Sequence, residues 1–270
     1  MRSVKMRQPP IHFSKDKMRI VLIICLTAVL AVVSLPQLKV QPPPELKIPF
    51  AESLQLLLVT TAGWNENEGK AQMFERSSPG ARWKAKGKDF AVVIGINGSA
   101  WDRESSPKSA TKFKVEGDGR SPAGLFPLKF AFGFAAKPEG LKFSYIKIEE
   151  GAECIDDAAS SHYNKIADRY KVGNFDWRSG EKIFELGHEN PLGVFVAYNS
   201  FPIRSGNGSC IFLRVWKNAD MPTKGSTAMR RSDLENIVSW LDPNANPYFA
   251  LFPIADYKKL RQGWSLPVLK

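Results

Sequence analysis

Short runs of apolar and β-branched residues alternate with turn-forming residues along most of the chain. Five runs have the strongest strand pattern: LQLLLVT (54–60), FAVVIGI (90–96), VFVAYN (194–199), CIFLRVW (210–216) and YFALFP (248–253). Clusters of Gly, Pro, Asn and Ser separate them, as is typical of strands joined by turns. The pattern predicts a mainly β fold.

Helical periodicity is confined to two segments. In SDLENIVSWL (232–241), four apolar residues fall on one face, and Ser232 with Glu235 matches a capping box. A shorter helix is predicted for SHYNKIADRY (161–170). Strands and helices do not alternate, and no Gly-rich phosphate loop follows a strand, which disfavours a doubly wound nucleotide-binding fold. We therefore expect a β-sandwich with one or two short helices.

The N-terminal pattern differs from that of the body. Residues 1–19 hold six basic residues and one acidic residue, and residues 20–35 are an uninterrupted apolar stretch, IVLIICLTAVLAVVSL. This order predicts a cytoplasmic tail followed by a signal peptide or membrane anchor. Prolines in residues 36–50 favour an extended linker. Residues 51–270 are then one domain in the periplasm or another extracytoplasmic space.

The net charge of +11 does not by itself indicate a nucleic-acid partner. Much of it lies in the N-terminal tail, and the body has neither an aromatic-basic RNA motif nor zinc-finger spacing. His12 lies in the tail, while His162 and His188 lack a second ligand at metal-binding spacing. We expect no nucleic acid, no metal and no cofactor.

The chain has three cysteines. Cys25 falls within the apolar stretch, which leaves Cys154 and Cys210 as an even pair in an oxidising compartment. A disulfide between them is one prediction. The alternative is that both thiols are free and buried, because sequence alone does not place their Cα atoms within bridging distance.

Several motifs occur in a specific order along the body: GDGRSPAG (117–124), AYN (197–199), GNGSCIFLRVW (206–216), PTKGSTAM (222–229) and the DLE helix. Together they resemble the L,D-transpeptidase catalytic domain of the YkuD type, in its exported bacterial branch. The resemblance runs from about Leu54 to about Pro267. It implies a β-rich, sandwich-like domain that acts on peptidoglycan stem peptides.

In the family that these motifs resemble, a Cys attacks a peptide carbonyl and a His acts as its base. The resemblance places these two roles at Ser226 and Arg214, so both reacting groups are replaced. A serine hydroxyl is a weaker nucleophile than a thiolate and needs an adjacent base. Arg214 is not such a base, because its guanidinium stays protonated and has no acceptor lone pair.

Three functions are compatible with this replacement. The first is a catalytically inactive cell-wall protein that still recognises stem peptides, with Arg214 binding a peptide carboxylate. The second is an acyl-transfer enzyme that uses Ser226, with His188 as the candidate base. The third is a purely structural envelope domain in which Arg214 and Ser226 only pack.

Two residues of the Ser226 loop are further candidates. Gly225 permits the turn and exposes backbone N–H groups to a developing oxyanion, or serves the backbone conformation alone. Lys224 favours acidic ligands such as peptide carboxylates, or is a solvated surface charge.

Four other residues are candidates for substrate binding. Arg120 and Ser121 line a substrate groove, or belong to a loop that covers the end of a sheet. Tyr198 and Trp216 form an apolar groove wall, or pack in the core as residues on strands often do.

Overall fold

A computed structural model describes residues 49–185 and 192–269. The basic tail, the apolar stretch 20–35 with Cys25, and nearly all of the linker lie outside the described residues. His12 and His188 also lie outside them. No helix in the described part is long and apolar enough to cross a membrane.

Thirteen strands are described. They are β1 (Gln55–Thr61), β2 (Glu68–Glu75), β3 (Lys84–Val93), β4 (Ser99–Trp101), β5 (Ser121–Gly133), β6 (Tyr145–Lys147), β7 (Ala152–Cys154), β8 (Ile166–Asp168), β9 (Glu181–Lys182), β10 (Leu192–Val196), β11 (Phe212–Val215), β12 (Thr227–Met229) and β13 (Tyr248–Pro253). All five runs predicted as strands overlap one of them. The mainly β class is therefore confirmed.

The helices are α1 (Arg169–Val172), α2 (Arg231–Trp240) and α3 (Ile254–Leu260), with 3-10 turns at Pro49–Glu52, Ile183–Glu185 and Pro243–Ala245. The apolar face of α2 is buried, as predicted. The predicted capping box is wrong: the helix begins one residue before Ser232, and Arg230 at its N-cap makes no side-chain cap bond.

The helix predicted over residues 161–170 is also wrong. Asn164 has a φ of 59°, which interrupts a right-handed helix. Residues Ile166–Asp168 instead pair with β7 as the strand β8, and only the single turn α1 follows. Tertiary pairing has overridden a weak helical pattern here.

The main sheet closes on itself. Its strand order is β10-β11-β12-β3-β2-β1-β13-β5, and β10 also pairs with β5. The result is a barrel-like sheet, so the predicted sandwich is not confirmed. Leu56, Leu57, Leu58 and Val59 are at most 1% exposed, which shows that β1 is buried on both faces. One face points to the barrel interior, and α3 contacts β1 and β13.

A second, smaller sheet has the order β8-β7-β9 and is called the small sheet below. It belongs to the long insertion between β6 and β10. A separate apolar cluster joins it to the barrel through residues of β5, β10 and β11: Phe132, Ile148, Ala152, Cys154, Ile183, Phe195, Cys210 and Phe212. This cluster places the small sheet next to β11, the strand that contains Arg214.

Candidate functional site

The two positions singled out by the resemblance lie on β11 and directly before its neighbour β12. β11 and β12 run parallel, with Leu213 opposite Thr227 and Arg214 opposite Ala228. Ser226 is the residue immediately before β12. The helix α2 contacts β11 and supports this part of the sheet. The fold therefore brings Arg214 and Ser226 to the same part of the barrel wall.

The hydroxyl of Ser226 is occupied by backbone groups. Its Oγ accepts a hydrogen bond from the Phe212 N–H at 3.1 Å and lies 3.5 Å from the Cys210 carbonyl oxygen. The residue is only 6% exposed. Neither contact is with a group that takes up a proton, so these bonds hold the loop against β11 and do not activate the hydroxyl.

The loop before β12 is fixed by two other hydroxyl groups. Ser121 Oγ donates to the Gly225 carbonyl at 2.5 Å and accepts from the Gly95 N–H at 3.0 Å. Thr223 Oγ1 donates to the Ser226 carbonyl at 2.5 Å and accepts from the Gly225 N–H at 3.0 Å. Ser121 thus fastens the loop, and the N–H of Gly225 already has an acceptor.

Gly225 meets a conformational and a spatial requirement. Its φ is +152°, which side-chain residues rarely adopt, and an added Cβ would lie 3.1 Å from the Arg120 carbonyl oxygen and 3.3 Å from Ile211 Cδ1. The turn that presents Ser226 therefore depends on glycine at this position.

Arg120 is held by neighbouring loops. Its guanidinium donates to the carbonyls of Trp64 and Ser99, at 3.2 and 3.0 Å, and to Asn65 Oδ1 at 3.1 Å. These three bonds tie GDGRSPAG to the turn between β1 and β2 and to the start of β4. They support the covering role of this loop more than a groove-lining one.

The other predicted groove residues differ in exposure. Tyr198 is 2% exposed, packs edge-on against Phe126 at 5.5 Å between ring centroids, and donates its hydroxyl to the Asn207 carbonyl. Burial raises the pKa of this hydroxyl. Trp216 is half-buried, and Lys224 is exposed beside Gly225. Tyr198 thus has the packing role, whereas Lys224 is open to a ligand.

A disulfide joins Cys154 to Cys210, with a Cα–Cα distance of 5.8 Å. Cys154 ends β7, and Cys210 lies just before β11. Asn164 adds a second connection, because its Oδ1 accepts from the Cys210 N–H and its Nδ2 donates to the Tyr198 and Asn199 carbonyls. The small sheet is thus fastened beside the Ser226 hydroxyl.

The small sheet supplies a residue that the sequence did not reveal. Glu181 of β9 pairs with Cys154 in the strand register, and its carboxyl group interacts electrostatically with Arg214. Burial raises the pKa of Glu181 to about 7; the positive charges of Arg214 and Lys224 oppose this rise, and Asp156 adds to it. Burial likewise lowers the pKa of Arg214.

The chemical properties of this pair differ from those of a His–Cys pair. The permanent cation Arg214 interacts electrostatically with a carboxyl group whose pKa is raised to about 7, and the hydroxyl of Ser226 is bonded elsewhere. Such an arrangement suits recognition of a carboxylate by charge, in a region where Glu181 competes for the same cation when it is ionised.

Stability should fall with rising pH because of Glu181. Its pKa is raised in the folded state, so the native protein binds more protons than the unfolded chain between about pH 4.5 and 7. We expect the free energy of unfolding to decrease by about 3 kcal/mol across this window. Urea unfolding at several pH values measures it. Glu181→Gln should remove most of this slope, whereas Glu185→Gln, four residues further along and exposed, should leave it. An unchanged slope in Glu181→Gln would contradict the assignment.

Two further features, the described histidine His162 and possible metal ligands, do not extend the candidate site. His162 Nδ1 lies 3.2 Å from Ser161 Oγ and 3.3 Å from Asp176 Oδ1, and its ring contacts Trp177. All of these partners belong to the insertion. Within residues 49–185 and 192–269, no group of three His, Cys, Asp or Glu residues is arranged to hold a metal ion. His188, the candidate base for Ser226, lies outside the described residues.

Comparison with known proteins does not assign a family. No family model, curated protein or solved structure matches the chain significantly. The YkuD-like resemblance therefore remains a prediction from the motifs.

Proposed function

We propose that the chain is an exported, L,D-transpeptidase-like cell-wall protein that recognises peptidoglycan stem peptides and does not catalyse acyl transfer. The proposal includes the finer expectations of a YkuD-like sandwich ancestry, an N-terminal signal or anchor, and a periplasmic or other extracytoplasmic location. Its main support is the site itself: Arg214 lies on β11, Ser226 directly precedes the adjacent strand β12, and Ser226 is 6% exposed with its hydroxyl bonded to the backbone.

Recognition is argued from the charges around the site. Stem peptides end in carboxylates, and a guanidinium binds a carboxylate through two parallel hydrogen bonds. Lys224 is exposed beside the Ser226 loop and adds a second positive charge. The two cations favour an anionic peptide end at this position, and an ionised Glu181 competes with it electrostatically for Arg214.

The acyl-transfer alternative requires a base that reaches Ser226. Among the described residues, no hydrogen bond joins the Ser226 hydroxyl to an ionisable group. The hydroxyl instead accepts from the Phe212 N–H and lies near the Cys210 carbonyl oxygen. The structural alternative requires that Arg214 has no ligand. Binding experiments separate these three functions.

Arg214→Ala should weaken binding to purified peptidoglycan sacculi by about tenfold, because a charge-assisted pair is lost. Co-sedimentation of the full chain with sacculi measures the bound fraction. Arg204→Ala is the matched control, since it removes an exposed guanidinium that pairs with Glu104. If Arg214→Ala binds as well as the natural protein, carboxylate binding by Arg214 is refuted and the structural function becomes the better account.

Binding should also depend on pH through Glu181. Below about pH 7 the Glu181 carboxyl group is neutral and does not compete for Arg214 with the ligand carboxylate, which remains ionised. Above that pH an ionised Glu181 competes for the same cation. We expect weaker sacculus binding at pH 8 than at pH 6. Glu181→Gln should bind equally at both values, and a pH effect that persists in this variant would point to another group.

A further inference from the structure

A groove of about 1300 Å³ is lined by residues of β1, β2 and β3 and of the C-terminal segment, and no residue of the Ser226 loop lines it. The hairpin of β2 and β3 forms one wall, and the C-terminal residues 261–269 form the other. Trp83 is half-buried in it and donates its Nε1–H to the Ser265 carbonyl at 2.9 Å. Val268 in the opposite wall is 66% exposed. The groove thus combines accessible apolar surface with a partly exposed indole ring.

Basic side chains line the same groove. They are Lys70, Arg82, Lys84, Lys88 and Arg261. Lys70 forms an ion pair with Asp89 at 3.1 Å. In the part of the chain that the structure describes, no carboxylate lies within ion-pair distance of the other four. These basic side chains give the groove a strongly positive rim, because an acidic partner neutralises only Lys70 among them in the described part of the chain.

The groove also borders the first described residues of the domain. The ring of Phe50 stacks on Trp83 with 5.8 Å between centroids, and the guanidinium of Arg76 lies 4.4 Å from the centroid of the Trp83 ring. Arg76 donates to the carbonyls of Phe50, Ala51 and Ser53. These contacts fix the first residues of the domain next to the groove.

We propose that this groove docks the domain on the surface of a bilayer that contains anionic phospholipid. The rim attracts lipid phosphates, since each basic residue near such a surface adds about 1 kcal/mol of attraction. Trp83 and Val268 supply the apolar contact that a membrane interface accepts, whereas a nucleic acid would leave Val268 facing a hydrophilic backbone. The proposal is independent of the stem-peptide site and goes beyond it.

The test uses the full chain reconstituted in vesicles, with a protease site introduced into residues 36–48. After cleavage, sedimentation measures how much of the domain stays with the vesicles. We expect retention on vesicles of phosphatidylcholine with about 30 mol% phosphatidylglycerol at low salt, and release from pure phosphatidylcholine vesicles or at high salt.

The matched variants separate the groove from the overall charge. Arg82→Glu, Lys84→Glu and Lys88→Glu together reverse three exposed charges and should lower vesicle affinity by about 100-fold. Lys137→Glu, Lys165→Glu and Lys217→Glu reverse three exposed charges that do not line the groove, and should have a much smaller effect. Thermal unfolding confirms that both triple variants are folded. The proposal is overturned if both variants lose affinity equally, if the groove variant is retained like its parent, or if the domain stays on uncharged vesicles.

Discussion

Replacing Cys154 and Cys210 together with alanine is expected to lower the free energy of unfolding by about 4 kcal/mol. The bridge joins residues 56 positions apart, so its removal returns much conformational freedom to the unfolded chain. Both residues are also buried, at 0% and 6% exposure, so the substitution removes packed atoms as well. Urea unfolding without reductant measures the loss.

A reductant provides the internal control for this prediction. It should destabilise the natural protein by a similar amount and leave the alanine variant unchanged. Hydrogen exchange should become faster mainly in residues 152–182, because the bridge fastens the small sheet to the barrel. Equal stability of the natural and alanine forms would show that the apolar cluster between the sheets suffices to hold them.

Restoring both reacting groups should create a nucleophile that the natural protein lacks. Carbapenems acylate the nucleophilic Cys of the family that the motifs resemble. We expect no adduct on the natural protein, slow acylation of Ser226→Cys, and acylation about a hundredfold faster when Arg214→His is added. The thiol needs a base, and an imidazole at position 214 provides one. Intact-mass spectrometry counts the adducts over time.

The single substitution Arg214→His is the matched control. It should form no adduct, because the Ser226 hydroxyl keeps its bond to the Phe212 N–H. The carboxyl group of Glu181, which acts to raise the pKa of Arg214, should also favour the protonated form of the introduced imidazole. Rapid acylation of the natural protein at Ser226 would contradict the inactive assignment. A folded double variant that remains unreactive would favour the purely structural function.

The strands and the position of the site follow from local patterns. The run CIFLRVW predicts the strand that contains Arg214, and PTKGSTAM predicts the Gly225 turn, because apolar alternation and a glycine with positive φ are local requirements. The two segments are close in sequence, so their pairing as parallel neighbours needs only a short connection. The pattern does not fix how the sheet closes, since the β5–β10 pairing depends on tertiary packing.

Glu181 shows why the rest of the site could not be predicted. It sits in a two-residue strand with no distinctive motif, and its effect on Arg214 depends on the register of β7 and β9. The Cys154–Cys210 pair was the available signal, because a bridge places the insertion beside β11. Tyr198 illustrates the opposite case: an aromatic residue on a candidate groove wall is a core residue once its burial is known.

The most direct test of the central claim is one incubation of the full chain with purified disaccharide-tetrapeptide muropeptide. Ultrafiltration separates bound from free ligand, and mass spectrometry then determines the mass of every recovered muropeptide. The account predicts that the protein retains muropeptide above a no-protein blank, that Arg214→Ala retains less, and that all recovered muropeptide has its original mass. A shortened tripeptide or a crosslinked dimer would show catalysis, and an absence of retention would show that the domain does not recognise stem peptides; either result would contradict the account.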